Sequence, residues 1–532
     1  MASRGDIGQA RKKLDASALP TDEKNLIEAE FEGQWGDSTI AAVDFRKSTS
    51  AAPGKLRTWL EWSGMNLRNR DFTDAFNIAN EGLKLIPSNS VLMAMKDRAQ
   101  ALAGAQLDSD SQDLLNALSI DPTNEAGIAT LAALTGSETP GDAINKLQTV
   151  AEKYPRFLPV ESIIIRKYFR AGLLDQAVGR ATRTCAMLPI EAEPAQLLAG
   201  IYATAHQWDR ALAAAQEWRS RSLDHPHPAD IAIASAEIGL QQPERAESQL
   251  AWCLKDPPSD SCATDVYARA LCREGRVDQA WNIFQPYSVQ PARRQRWLKI
   301  VSTDAMDPNV ASRYIQQISP QCQADSINDQ LSLAEAWFAV GTQMNDPGDM
   351  EKARSIVQPI AAKFAKSPKA WILLGDIQQQ QNNLSSAENS FSTAIKIAPQ
   401  LAIAKNDLAM VMLLGNEDLN TAKKFATAAV SQTPAESAFH STLGEIDMQM
   451  NDLESAKSQF QIALRLNVEN AEALIGTAAI EDRAGDTGVA GILNQAQSLL
   501  SSSHQILPVR IREEFQTLQR KYSARKAPFS GF

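Results

Sequence analysis

PKAWILLGDIQQQQNNLSSAENSFSTAIKIAPQ, residues Pro368 to Gln400, decides the fold. Counted from Pro368, large apolar side chains stand at positions 4 (Trp371), 7 (Leu374) and 24 (Phe391), and small ones at 8 (Gly375), 20 (Ala387) and 27 (Ala394). A turn at Asn382-Asn383-Leu384 separates two helical stretches. Small residues at 8 and 20 let the two helices approach closely, and the one at 27 admits the next pair. The large residues fill the space between. Pro399, at position 32, cannot continue the second helix and ends the unit.

The unit starting at Ser437 repeats this set with Leu443, Gly444, Ala456, Phe460 and Ala463. Ala387 and Ala456 are 69 residues apart, two periods of 34 and one inserted residue. The insertion falls near Asn416, because Ala409, Ala422 and Pro434 keep the pattern on either side. The set resembles the tetratricopeptide-repeat signature at every position named. That resemblance implies an all-α fold: a right-handed α-α superhelix, or solenoid, of about thirteen helix-turn-helix repeats.

Upstream, the same ruler finds Ile165/Ala177/Pro189, Ala199/Ala211, Ala234/Ala246/Pro258, Ala268/Ala280 and Gly341/Ala353. Ser63/Ala75/Pro87 and Leu131/Ala143/Pro155 are weaker members. Units are expected to begin near 56, 91, 124, 158, 192, 227, 261, 295, 334, 368, 402, 437 and 471. The unit near 91 lacks the small pair, and the stretch from Pro291 to Gln330 offers only Ala311, Ile315 and Ile318 for a second helix. It reads either as a degenerate repeat that bends or divides the array, or as an ordinary repeat that has drifted.

The expected organisation is a partial repeat and helical lead-in over 1–55, an array over 56–290, a degenerate repeat or hinge over 291–333, a second array over 334–504, and a capping helix and tail over 505–532. Gly5, Asp6, Ala10 and Leu14 match a second helix whose first helix is missing. A solenoid end normally needs a capping element, so the start is expected to be either cut from a longer protein, the favoured reading, or naturally shortened. The chain reads as cytoplasmic as written, and as periplasmic or surface-exposed if a signal or anchor preceded it. At the other end, Val509, Ile511, Phe515 and Leu518 form an apolar stripe suited to covering the last repeat. Basic residues such as Arg510 and Lys521 share that helix.

With 53 Lys and Arg against 63 Asp and Glu, the net charge of −10 argues against a nucleic-acid partner. No uncharged apolar run is long enough to span a bilayer. Five cysteines (Cys185, Cys253, Cys262, Cys272, Cys322) show no metal spacing and read as small core packers, with a Cys253 to Cys262 bridge conceivable across a loop. His225-Pro226-His227 lacks a second ligand pair, so no metal and no cofactor is expected. There is no glycine-rich phosphate loop, HExxH or GxSxG, so the expectation is a protein that is not an enzyme.

In the resembled family the concave surface is lined largely by positions 2, 5, 9, 12 and 13 of each first helix. Those positions include Arg166 and Arg170 in one unit and Asp265, Arg269 and Arg273 in another. Each arginine pair, spaced i, i+4, could clasp acidic groups of a partner or pair with acidic neighbours within the array. Gly200, Ala203, Ser235 and Gly239 would leave room for an extended segment. Farther on, Asp376, Gln379, Gln380, Glu445, Gln449 and Asp482 make the face polar to acidic, with Met410, Leu413 and Met448 interleaved.

The resemblance also offers a test. Co-chaperones of this family hold acidic C-termini with a Lys/Asn, Asn, Lys/Arg set, and the corresponding Ile372, Asp376, Asp407, Ala438 and Thr442 do not supply it. The leading expectation is a scaffold or adaptor binding a protein or peptide partner along the concave face. The rival is a periplasmic or surface component of a bacterial polysaccharide or protein export system.

Overall fold

The computed structural model describes residues 7–35, 37–87, 89–103, 144–145, 147–148, 151–152, 156–222, 226–254, 261–323, 326–485, 488–503 and 507–525. Among them the regular elements are helical, 27 α-helices in all, most packed against their sequence neighbours. Two compact units, Met1–Lys167 and Tyr168–Phe532, divide inside the helix Leu158–Arg170.

In the first unit, residues 1–55 hold more than a lead-in. Thr21–Trp35 and Ser38–Ala51 form a packed helix pair ahead of the expected pair Leu56–Arg68 and Phe72–Leu85. Leu26, Ala29, Ala41 and Phe45 are buried. Phe45 stacks on Trp62 with ring centroids 6.0 Å apart, and Trp62 on Trp59 at 6.2 Å. The pair escapes the ruler because its apolar residues are interleaved with Asp22, Glu23, Glu28, Glu30 and Glu32, which break up the stripe. A helix, Ser90–Leu102, stands where the unit near 91 begins. Leu131 lies outside the described residues, as does Ala143.

In the second unit the turn inside a repeat is marked by one left-handed residue. His206, Gln241, Asn345, Asn382, Asn416 and Asn451 have φ between 51° and 58° or, for Asn451, 62°, and Gly172, Gly275 and Gly485 lie at 72–77°. Asparagine and glycine carry this conformation most readily, which explains their recurrence. The loop between Ala402–Leu414 and Leu419–Gln432 is one residue longer than that between Pro368–Gln380 and Leu384–Ile397, and holds the inserted residue.

Close approach explains the glycines inside helices. A Cβ on Gly375 would come within 2.6 Å of the buried Phe391 ring. A Cβ on Gly444 would reach 2.7 Å from Phe460 and one on Gly476 2.3 Å, so glycines of two successive repeats hold the Phe460 ring between them.

The stretch from Pro291 lies within the second unit, where Pro291–Asp304 and Pro308–Ile318 still pair. No left-handed residue joins them; Ala305 is extended and Asp307 caps the second helix through Asn309 N. The small-residue contact gives way to an aromatic one. Trp297, fully buried, has Trp281 at 5.3 Å, Phe284 at 5.4 Å and Tyr314 at 5.7 Å between ring centroids. Beside it Arg294 donates to Ser288 O and Val289 O at 2.8 Å and to buried Asp329, which also accepts from Gln295 at 2.9 Å. The next first helix, Ile327–Met344, begins ahead of the expected residue 334 and contains Asp329.

The second unit winds until it meets itself. His206 Nδ1 lies 2.7 Å from Glu469 Oε2, 263 residues away. Trp208 Nε1 donates to Glu469 Oε1 at 3.0 Å, and Val468 N to Ala205 O at 3.2 Å. Gly172 backs onto Pro434, whose carbonyl oxygen would lie 2.5 Å from any Cβ there. Glu469→Ala removes the two side-chain contacts, each worth about 1 kcal/mol net. The expected result is a longer, broader distance distribution between spin labels at Asp209 and Arg465; an unchanged distribution would show that these contacts do not hold the turn closed.

Candidate partner-binding face

Arg166 and Arg170 are exposed on their helix. The second arginine pair is already taken up. Arg269 Nε lies 3.1 Å from Asp304 Oδ2 and Arg273 Nε 2.9 Å from Oδ1, and Asp304 is buried. Asp265 lies 3.9 Å from Arg293 and 3.5 Å from Arg296. The next repeat thus engages Arg269 and Arg273 with a single carboxylate, which offsets one of their two charges. Nor is the expected space open throughout: the Trp208 indole fills the position beside Gly239, where a Cβ would lie 2.2 Å from the ring. Gly200 is open, with no atom within 4 Å of its Cβ position.

The later first helices present carboxylates. Asp376 on Pro368–Gln380 and Asp407 on Ala402–Leu414 are partly exposed, but the walls around them strip away water. Desolvation pushes Asp376 well above the usual carboxylate range, and the Asp407 and Glu335 charges push the same way. Asp407 is raised to about 7 by burial, against a hydrogen bond from Asn406. On Ser437–Gln449, Glu445 is 1% exposed and neither carboxylate oxygen accepts a hydrogen bond. Met410, Leu413 and Met448, which the sequence leaves as either partner contacts or core, are buried between helices.

Val509–Arg525, the last described helix, lies across this face. Ile511, Phe515 and Leu518 are buried against Ala471–Ala484 and Val489–Ser503. Arg510 donates to Gln449, two repeats back. Lys521 Nζ lies 2.7 Å from both oxygens of Asp482, and Tyr522 donates to the same carboxylate at 2.7 Å. Gln379 and Gln380 face Pro508, Arg510 and Glu513 across a cavity. A second cavity separates Thr342, Gln343 and Gln380 from Phe515, Gln516 and Gln519. Thus Gln379, Gln380, Glu445 and Gln449 share one face with this helix, whereas Arg166 lies in the other unit. Sequence spacing gave no sign that the helix crosses the groove; only the basic residues opposite an acidic stretch hinted at it.

The electrostatics of that crossing are mixed. Burial raises Glu445 to about 8; Glu514 and Glu472 push it further up, while Arg510 and Arg483 pull it down. Glu472 is raised to about 7 by burial, and Glu514 is also raised by burial. A carboxyl with a raised folded pKa stabilises the fold when protonated, and that contribution is lost as pH climbs from the ordinary carboxylate range through the raised value. Amide protection of Val509–Arg525, corrected for intrinsic exchange, is therefore expected to fall between about pH 4.5 and pH 8, by about tenfold for each pH unit over which one such group titrates. Glu445→Gln should flatten the dependence. Constant protection across that range in the unaltered chain would contradict the assignment.

Among the described residues no group of three or more His, Cys, Asp or Glu could hold a metal ion, and no helix is long and apolar enough to cross a membrane. Cys185, Cys253, Cys272 and Cys322 are buried as expected of core packers, whereas Cys262 is exposed.

Comparison with family models agrees with the repeat reading. A tetratricopeptide-repeat family model matches residues 368–401 and a second matches 441–498. Neither describes a catalytic domain. Among solved structures the chain is similar to the MamA RS-1 ArsTM double mutant, with 19% identity over 32% of this chain and 95% of that one at a TM-score of 0.26. It is likewise similar to MamA 41-end from Desulfovibrio magneticus RS-1, with 18% identity over 32% of this chain and 97% of that one at a TM-score of 0.26. No curated protein matches the sequence. Repeats of this family typically mediate protein–protein interactions. With the helix pairs, the turn spacing and both family models in agreement, the described residues form an all-α array of helix pairs that carries tetratricopeptide repeats at 368–401 and 441–498 and is consistent with a tetratricopeptide-repeat solenoid.

Proposed function

We propose that the protein is a non-enzymatic scaffold or adaptor that holds a protein partner along the concave face formed by the first helices of residues 334–504. The observation that carries this reading is the row of polar and acidic side chains, Asp376, Gln379, Gln380, Asp407, Glu445 and Gln449, on successive first helices. Asp376 and Asp407 are desolvated with no cation among the groups that shift them, and neither Glu445 oxygen accepts a hydrogen bond, a state that a partner's cation relieves. Arg269 and Arg273 share the buried Asp304 carboxylate, which supports the later array as the better surface.

The test is site-specific photo-crosslinking in the native host. A photoreactive residue at Gln379 or Gln380 is expected to capture the partner, and one at Asn389 or Lys396, on the second helix Leu384–Ile397, to leave it uncaptured. Capture only from the second helix would place the partner on the opposite surface and overturn the proposal.

A further inference from the structure

We infer that this face receives a partner's amphipathic helix whose polar side is basic, and that this helix takes the place of Val509–Arg525. The inference rests on the concave-face reading above and adds the chemistry of the occupant. First, the face already holds a helix, seated by an apolar stripe of Ile511, Phe515 and Leu518 and by the cations Arg510 and Lys521. That arrangement defines the shape that fits: three apolar contacts on one side and basic groups directed at Gln449 and Asp482.

Second, the resident helix is a poor electrostatic match. It carries Glu514 onto the face where Glu445 is buried with both oxygens lacking hydrogen-bond partners, and the Glu514 charge opposes ionisation of Glu445, which Arg510 and Arg483 offset only in part. Asp376 and Asp407, farther along the same face, also lack a nearby cation among the groups that shift them. A helix with lysine or arginine where the resident one has glutamate would make charge-assisted hydrogen bonds to Glu445 that the resident one cannot. The resident helix thus occupies the face without satisfying it, and a more basic helix competes with it.

Three synthetic peptides spanning residues 507–525 test this against the full chain by fluorescence anisotropy at pH 8.5 and physiological salt. One has the native sequence, one carries Glu513→Lys and Glu514→Lys, and one has its Arg and Lys residues replaced by Gln. The lysine-bearing peptide is expected to bind at least about tenfold tighter than the native one, equivalent to about 1.4 kcal/mol. Glu445→Gln in the full chain should remove most of that gain.

Equal affinity of all three peptides would overturn the basic-helix assignment while leaving the face as a site for helices. A gain that survives Glu445→Gln would overturn it too, by placing the cations elsewhere. If no peptide binds the full chain, the same titration on Ile511→Asp/Phe515→Asp, checked for retained helicity by circular dichroism, decides: binding there supports competition by the resident helix, and none overturns the inference. The crosslinking at Gln379 and Gln380 reads the scaffold proposal independently of each of these results.

Discussion

Phe460→Ala is expected to destabilise the repeats around residues 437–484 by about 3–5 kcal/mol, the cost of emptying a fully packed aromatic site. The ring is 0% exposed and lies between Gly444 and Gly476, two positions with no side chain able to move into the void. Because a solenoid is stabilised by each repeat and its neighbours, the loss should be local. Hydrogen exchange should show protection collapsing over Ser437–Gln449, Leu453–Leu466 and Ala471–Ala484 and persisting over Ser261–Arg273 and Pro291–Asp304. The converse change, Gly476→Ala, places a Cβ 2.3 Å from the ring and should cost about 1–3 kcal/mol through overpacking. A loss under about 1 kcal/mol for Phe460→Ala would mean that the ring does not join the two repeats.

Asp329→Ala is expected to cost about 3–5 kcal/mol by a different route. Arg294 is 2% exposed and Asp329 0% exposed, so removing the carboxylate strands a buried guanidinium. Arg294→Met with Asp329→Leu should recover much of the loss, because an apolar pair of similar volume has no charge to desolvate. Burial raises the Asp329 carboxyl, but hydrogen bonds from Arg294 and Gln295 outweigh it and hold the group below its usual value. Such a group contributes stability above its unfolded pKa and loses it as pH falls through the lower folded value. Unfolding followed by denaturant titration should therefore show an acid-side loss, beginning below about pH 4, that the double variant lacks. Equal instability of the single and double variants would contradict the account.

These two sites show where the sequence was legible. The repeat containing Phe460 announces itself because glycine and alanine at fixed spacing have one physical meaning, the close approach of helices. Around Asp329 the same job is done by Trp297 and a buried ion pair, neither of which has a fixed spacing, so the stretch from 291 reads as degenerate although its helices pair. One readable signal went unused. Asparagine at 345, 382, 416 and 451 marks the left-handed turn in four of the repeats and would have fixed their register independently of the small residues.

The binding face was less legible than the fold, for a geometric reason. A helical period places Asp376 and Glu445 on the inner side of their helices. It says nothing of which cations arrive from other repeats. Arg269 and Arg273 share Asp304 from the next repeat, and Glu469 meets His206 only after a full winding of the second unit. The crossing of Val509–Arg525 over Gln449 and Asp482 likewise depends on the curvature accumulated over several repeats, which no local pattern records.

Hydrogen–deuterium exchange of the full chain with and without its crosslinked partner tests the central claim most directly. The account predicts new protection on the first helices Pro368–Gln380, Ala402–Leu414 and Ser437–Gln449, together with faster exchange in Val509–Arg525 as it leaves the face. Protection confined to the second helices Leu384–Ile397, Leu419–Gln432 and Leu453–Leu466, with Val509–Arg525 unchanged, would contradict it.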